Sequence, residues 1–503
     1  MNYLINEDNL SITDRILKIN DISKDKLDVS SFFIDEDIEI VNRFKEGLLE
    51  NKDKKFLIVG DYDCDGICAT TIIKRLLDKL EIKANFYIPS RTLEGYGLNN
   101  KIVETAIQNN FDCLFMVDNG VACIEQLNLC KQSGIKTFII DHHEYEGDIP
   151  CDYFLHPNLF NDKYSDMCAG GLCGLFSSYF FDDEYSLVLG GLATLADMVS
   201  VLNYNRYLLK KMLEILRKGE IYQINYLMGK NNYSYDNLSY NVIPKINAVS
   251  RLDEYLNVNH VVEYLLADKN TCANYYSKID NINSMRKDYS SKMVQEAMSN
   301  INLSENIIIT SSKDYKEGLC GLVANKLLGS FNKSVIVLAL VNGEYRGSGR
   351  SIAGVDLYSY LKDLDIFSTF GGHAQAVGMS FAEDKLSILK EYINNHPLKV
   401  VEESRDILKV NIEDLTFDTL NELEELKPFG TKFDEPMFIL EDVKYIKKYV
   451  IAYKYPKFVL NDLVEAISFN SNFLNVPFKD MIGKLQIDGY HPNKLSFKIE
   501  DLI

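Results

Sequence analysis

Phe56-Leu57-Ile58-Val59-Gly60-Asp61-Tyr62-Asp63-Cys64-Asp65-Gly66 decides the fold. Four consecutive apolar residues read as a strand covered on both faces. Three aspartates then stand on alternate positions where that strand ends. Carboxylates this dense repel, and each charged neighbour raises the cost of ionising the next. A hard divalent cation removes that cost, because Mg²⁺ and Mn²⁺ take oxygen ligands. Alone, the run also fits a solvated acidic turn. Its place after a buried strand favours a metal site, with Asp63 and Asp65 as ligands and Asp61 as helper or third ligand. Gly66 is expected to let the loop turn into the next helix.

The pattern repeats further along. Helical spacing covers 67–80, a strand 84–88, a helix 101–109, a strand 113–117, a helix 124–133 and a strand 136–140. That rhythm predicts a parallel sheet with helices on both faces. Ligands in such sheets bind beyond the carboxyl ends of the strands. Asp61, Asp118 and Asp141 each fall there. Asp118-Asn119-Gly120 alone is ordinary turn chemistry. Asp141-His142-His143 says more, since the chain has only seven histidines. An imidazole can hold metal while its neighbour meets phosphate. Asp197 ends an apolar, small-residue helix, where a buried acid needs compensation. Two carboxylate/histidine metal centres side by side suit attack on phosphorus. The reaction class is metal-dependent hydrolysis of a phosphoester or a related phosphoanhydride.

Of 503 residues, 73 are acidic and 54 basic, giving a net charge of −19. That balance excludes a protein that coats nucleic acid with its whole surface, but leaves room for a basic groove. Ten scattered cysteines without a CxxC pair, and an acidic first segment without a long apolar run, point to reduced thiols and a cytoplasmic protein. No apolar stretch is long and clean enough to span a membrane, so no membrane partner is expected.

The length predicts several domains. Residues 1–210 read as the α/β domain with a parallel sheet, 211–302 as a helical connector, 303–398 as a smaller α/β domain and 399–503 as a small β domain. The smaller α/β domain carries Gly347-Ser348-Gly349-Arg350-Ser351 and Gly371-Gly372-His373-Ala374-Gln375-Ala376-Val377-Gly378. Both read as glycine-rich loops that offer N–H donors and charge to phosphate, with Arg350 and His373 as anion-binding groups. In the last domain, Lys and Tyr alternate over 444–458. This fits a basic strand with stacking rings, or an exposed strand of amphipathic side chains.

These motifs, in this order, resemble the DHH phosphoesterase superfamily, named for the triplet seen here as Asp141-His142-His143. GGHAQAVG is similar to the signature of the family's associated C-terminal subdomain. Ile88-Pro89-Ser90-Arg91, Glu94-Gly95-Tyr96-Gly97-Leu98, Pro244-Lys245-Ile246-Asn247-Ala248 with Arg251-Leu252, Ser348-Gly349-Arg350-Ser351 and Pro428-Phe429-Gly430 resemble the RecJ-like branch of single-strand-specific 5′→3′ exonucleases. The likeness runs from about residue 40 to the end and implies a DHH domain, a connector, a DHH-associated domain and an OB-fold.

The resemblance implies that Asp63, Asp65, Asp118, His142 and Asp197 hold two Mn²⁺ or Mg²⁺ ions, with Asp118 bridging. Asp61 lies beside them, and Asp61, Asp118 and His143 carry the chemistry, His143 on the scissile phosphate. Arg350, Ser348, His373 and Arg91 grip phosphates near the 5′ end, while Asn247 and Arg251 line the strand's path. Val249-Ser250 departs from the family's usual Ala-Gly. The implied substrate is single-stranded DNA in repair or recombination, with a single-strand-binding protein or a helicase as partner by analogy. Alternatives are a nanoRNase or cyclic-dinucleotide phosphodiesterase, and a catalytically inactive replication or repair scaffold.

Overall fold

The computed structural model describes residues 2–8, 10–28, 38–402, 404–489 and 491–503. The chain divides into two compact units. One comprises Phe32–Val199 and Tyr207–Val401; the other comprises Met1–Ser31, Ser200–Arg206 and Glu402–Ile503.

The larger unit begins with the expected parallel sheet. Its strands run in the order Ala84–Tyr87, Phe56–Val59, Cys113–Val117, Lys136–Ile140, Tyr153–Leu155, and every pairing is parallel. Alternate side chains of each strand face opposite sides. Leu57, Val59, Leu114, Met116 and Ile139 meet the helices Asn100–Gln108 and Ile124–Gln132 on one face. Phe56, Phe115 and Phe138 pack on the other, with ring centroids 5.5 and 5.7 Å apart, and Phe44 and Phe176 close over them. Both faces are therefore dry, which explains strands of unbroken apolar sequence. The chain leaves Phe56–Val59 for one neighbour, Ala84–Tyr87, and returns to the other, Cys113–Val117. The strand order thus reverses between Phe56–Val59 and Cys113–Val117, and ligands collect at such a reversal.

Helices follow, among them Ala169–Ser178, Glu184–Ala196, Ile243–Arg251, Asn259–Leu266 and the 29-residue Cys272–Asn300. A second five-stranded sheet has the order Thr369–His373, Ala376–Ala382, Glu344–Arg350, Val335–Val341, Ile308–Ser312. Here two sequence expectations are corrected. The glycine-rich loop expected at Gly347-Ser348-Gly349-Arg350-Ser351 is mostly strand: the turn falls at Asn342-Gly343, and Gly347 and Gly349 lie inside the strand Glu344–Arg350. Gly349 is there for space, since a Cβ would stand 2.7 Å from Leu357 Cδ2 and Val377 Cγ2. Likewise GGHAQAVG is a hairpin of Thr369–His373 and Ala376–Ala382 around Ala374-Gln375. Glycine there signals close strand packing, which composition alone reads as loop.

The smaller unit holds one eight-stranded sheet: Asn2–Asn6, Ser404–Lys409, Phe438–Leu440, Met481–Ile487, Leu495–Leu502, Val464–Ile467, Tyr455–Val459, Lys447–Ile451. The Lys/Tyr segment forms its last hairpin, Lys447–Ile451 with Tyr455–Val459, and Lys447–Ile451 is exposed along its length. Ser200–Arg206 joins this unit through Arg206, a buried guanidinium that donates to the carbonyls of Leu426 (2.6 Å) and Pro428 (3.0 Å). Among the described residues, no helix is long and apolar enough to cross a membrane.

Candidate active site

The acids reach one place because the strands that carry them are neighbours. Asp61 follows Phe56–Val59 and Asp118 follows Cys113–Val117, on either side of the order reversal. Asp118 sits at φ +59°, a left-handed conformation that Asp tolerates better than most residues. Its N–H donates to the Ile140 carbonyl at 2.9 Å, which carries the ladder one residue past the strand.

Asp63 has two duties. It caps the helix Cys64–Lys79, accepting from the N–H groups of Asp65 (2.9 Å) and Gly66 (3.3 Å) through Oδ1. Gly66 is helical rather than a turn, which corrects the expectation. Its role is close approach, because a Cβ would stand 2.5 Å from the Asp61 carbonyl oxygen. Asp65 is buried and accepts from Ala169 (3.0 Å) and Gly170 (2.6 Å) N–H. These open the helix Ala169–Ser178, whose dipole favours an anion there. Asp197 caps the carboxyl end of Glu184–Ala196, where no such help exists.

His142 ties the acids together. Its Nε2 lies 3.3 Å from Asp118 Oδ1, 3.7 Å from Asp65 Oδ2 and 3.8 Å from Asp197 Oδ2. Three ligand trios result, each with atoms within 4.8 Å of one another: Asp65, His142 and Asp197; Asp61, Asp63 and Asp118; and Asp118, His142 and His143. Asp118 belongs to two of them. All seven acid and histidine positions expected at the metal centre therefore converge.

The electrostatics call for a cation. Burial, then the neighbouring carboxylates, push Asp61 and Asp118 well above the ordinary carboxylate range. Burial also raises Asp65, and burial with Asp65 and Asp63 pushes Asp197 up to about 8. Asp61 Oδ1 and Asp118 Oδ1 are buried without a hydrogen-bond donor. Buried oxygen atoms with no donor, in sets of three, fit divalent metal ions.

Asp141 and Tyr96 complete the centre. Asp141 is fully buried and accepts from the His142 (2.8 Å), His143 (3.2 Å) and Val121 (3.2 Å) N–H groups. Its Oδ1 lies 2.7 Å from His143 Nδ1. Burial opposes ionisation of both partners, yet their pairing prevails: Asp141 falls below its usual range and His143 rises above its own. The Tyr96 hydroxyl donates to the Asp118 carbonyl at 2.7 Å and stands 3.2 Å from His143 Nδ1. Burial and the surrounding carboxylates push this phenol far up, so it stays a donor. Sequence reasoning quoted Tyr96 without giving it a role; its flanking Gly95 and Gly97, both at positive φ, were the available signal.

Beside the acids stands a cluster of guanidiniums. Arg91 lies over the Tyr62 ring, 5.0 Å from its centroid, and its charge reaches Asp61. Burial, then Arg91, Arg286 and Arg350, pushes Arg251 down to about 10; burial and Arg91 lower Arg350 too. Their partners are neutral: Arg251 donates to the Gly318 carbonyl (3.2 Å), Arg350 to the Gly349 carbonyl (2.8 Å) and Arg286 to Asn283 Oδ1 (3.1 Å). Among the described residues, none of the four is ion-paired to a carboxylate. Clustered cations that are not ion-paired to carboxylates favour a bound anion. Arg286 was missed because nothing marks one arginine on a long polar helix.

Ser348 and Arg350 share a face of their strand above Gly321, where a Cβ would stand 3.4 and 3.0 Å from them. Asn247 precedes Arg251 by one helical turn, and its Oδ1 is buried without a partner. His373 stands apart. It is exposed and paired to Ala376, which pairs in turn to Arg350. Two strand spacings, about 10 Å, separate its backbone from that of Arg350.

Comparison with known proteins finds three matching domain families along the chain. The DHH family N-terminal domain matches residues 55–195, the DHHA1 domain 304–395 and the RecJ OB domain 408–501. The single-stranded-DNA-specific exonuclease RecJ of Bacillus subtilis is 28% identical over 437 residues, covering 81% of this chain and 55% of that protein. The protein of the same name from Haemophilus influenzae is 26% identical over 503 residues, covering 88% and 86%. The crystal structure of RecJ in complex with Mn²⁺ from Thermus thermophilus superposes with a TM-score of 0.84 at 19% identity, covering all of this chain and 79% of that one. This chain thus spans little more than half of the Bacillus relative and most of the Haemophilus one. With the acid and histidine motifs gathered at one sheet edge, the chain carries a DHH N-terminal domain, a DHHA1 domain and a RecJ OB domain in that order, and it resembles the RecJ exonucleases in sequence and fold.

Proposed function

We propose that this chain is a 5′→3′ exonuclease that hydrolyses phosphodiester bonds of single-stranded DNA with two Mn²⁺ or Mg²⁺ ions. One observation carries the reading: seven acid and histidine groups converge beside a set of guanidiniums that are not ion-paired to carboxylates. Asp63, Asp65, Asp118, His142 and Asp197 would hold the ions, with Asp118 between them and Asp61 alongside. Bound there, they would supply an activated water and offset charge on the phosphate oxygens. RecJ from Thermus thermophilus has been crystallised with Mn²⁺ and with Mg²⁺, which supports either metal.

The chain's own groups divide the remaining work. His143, held by Asp141 and biased toward its charged form, donates a hydrogen bond to the scissile phosphate. Arg91, Arg251, Arg350 and Ser348 take the terminal phosphate, which sets the polarity, and Asn247 lines the path behind it. His373, exposed on its hairpin, serves the strand further out. In this reading the chemistry falls within 1–210, with 211–302 as connector, 303–398 for phosphate grip and 399–503 for the trailing strand. The exposed Lys447–Ile451 edge, with Lys447 4.5 Å from the Tyr449 ring centroid, supports that last part. Repair or recombination in the cytoplasm, beside a helicase or a single-strand-binding protein, is our reading by analogy alone.

The test is digestion of 5′-labelled single strands with Mn²⁺. Label should leave as mononucleotide first. Intact substrate, or equal digestion by Asp118→Ala, would end the reading.

A further inference from the structure

The segment between the strand Ala84–Tyr87 and the helix Asn100–Gln108 carries both Arg91 and Tyr96. It has no regular structure, yet its backbone is held at several points. Within it, Glu94 Oε2 accepts from Tyr87 Oη (2.6 Å) and Ser90 N–H (3.0 Å). The Ser90 carbonyl accepts from Glu94 (2.9 Å) and Gly95 (3.1 Å) N–H. Two further holds come from distant sequence. The Asn259 side chain answers both backbone groups of Ile88, at 2.9 and 3.0 Å, as a neighbouring strand would. Asp253 takes the residues on either side of Arg91: its Oδ2 accepts from Ser90 Oγ (2.7 Å) and Thr92 N–H (3.1 Å), and its Oδ1 from Thr92 Oγ1 (2.6 Å).

Asp253 lies two residues past Arg251, just beyond the helix Ile243–Arg251. One short stretch therefore presents a guanidinium to the anion site and clamps the loop that brings another. The clamp is ionic in strength, because a carboxylate roughly doubles the worth of a hydrogen bond. A phosphate shared by two guanidiniums is gripped well only if their spacing is fixed beforehand.

We propose that Asp253 is a positioning residue for terminal-phosphate recognition, setting Arg91 against Arg251 by clamping Ser90 and Thr92. Asn259 anchors the root of the same loop. The proposal rests on reading the guanidinium cluster as the terminal-phosphate site. Asp253 meets the loop on either side of Arg91, so in this role its removal acts through Arg91.

The experiment compares 5′-phosphorylated with 5′-hydroxyl single strands in wild type, Asp253→Ala, Arg91→Ala and the double variant. Asp253→Ala should raise KM for the phosphorylated strand about tenfold, the order expected for a group displaced by a fraction of an ångström. Its kcat should hold, and KM for the hydroxyl strand should stay within twofold. In the Arg91→Ala background the same change should add nothing. Ser90→Ala with Thr92→Val, which removes donors from the loop side, should reproduce the shift where Asp253→Ala folds poorly. Amide exchange over residues 88–95 should quicken in Asp253→Ala, whatever the activity. Unchanged exchange, equal losses on both strands, or effects that add to Arg91→Ala would overturn the proposal. A wild type indifferent to the 5′ phosphate would instead sink the terminal-phosphate reading, and the proposal with it.

Discussion

His142 Nε2 stands 3.3 Å from Asp118 Oδ1, an oxygen that is buried and receives no hydrogen bond. The two side chains come from adjacent parallel strands, and Asp118 also belongs to the trio with Asp61 and Asp63. One carboxylate thus joins two of the three ligand trios. Without a cation, that arrangement opposes folding.

Asp118→Asn should therefore stabilise the metal-free protein. Removing a buried charge among carboxylates relieves about 1–2 kcal/mol. The same variant should lose the thermal stabilisation by Mn²⁺, worth about 2.7 kcal/mol at a hundredfold excess over Kd in a competent site. Differential scanning with and without Mn²⁺ reads both. A less stable metal-free variant would contradict the strain described here.

Gly170→Ala tests the seat of Asp65. A Cβ there would stand 2.7 Å from Asp65 Oδ1 and 2.5 Å from Ala193 Cβ. The carboxylate must move, so Mn²⁺ affinity should fall about 10- to 100-fold, as when groups that orient a ligand are lost. Calorimetric titration gives the answer. Unaltered affinity would show that the two helix amides do not set the ligand's position.

Asp141→Asn should leave metal binding within a few-fold and lower kcat by about 10- to 100-fold. Asp141 holds the His143 ring and favours its charged form, and is itself a member of none of the three ligand trios. Single-turnover rates at saturating Mn²⁺ separate the two quantities. A loss in Mn²⁺ affinity with the rate intact would reverse the assignment.

Much of the centre was legible in the sequence because its ligands follow unbroken apolar runs. Phe56–Val59, Cys113–Val117 and Lys136–Ile140 could hardly be other than buried strands; Asp118 and Asp141 follow theirs directly, and Asp61 follows after Gly60. The glycines of the second sheet misled, since Gly347 and Gly349 serve packing inside a strand and look like turn chemistry in composition. His373 drew notice for its residue type, but only strand register places it two strands from Arg350. Arg286 and Asp253 could not be found by motif, because their roles come from contacts across the fold. The pairing of Asn2–Asn6 with Ser404–Lys409 joins segments some four hundred residues apart, beyond the reach of local pattern.

The helices that carry Asp65 and end at Asp197 are tied by Asp183. It accepts from Arg75 at 3.0 Å to each oxygen and from Ser186 at 2.8 Å, and lies 2.9 Å from Lys79. Burial alone would raise this carboxyl; Lys79, Arg75 and Ser186 outweigh it and hold it low. A depressed folded value means stabilisation that is full above the unfolded value, near 4, and lost as pH falls through the folded one. Asp183→Asn should cost about 2 kcal/mol at pH 7, allowing for screening of the more exposed Lys79. The difference from wild type should shrink steadily below about pH 4. Urea unfolding at both pH values checks this, and a pH-independent difference would rule out the ion pair as its source.

The most direct measurement is the number of Mn²⁺ ions bound per chain, by calorimetry with elemental analysis of the dialysed protein. Two ions in wild type, and at most one in Asp118→Ala, are expected of a centre built around a shared carboxylate. No bound ion in wild type, or the same number in both proteins, would contradict it.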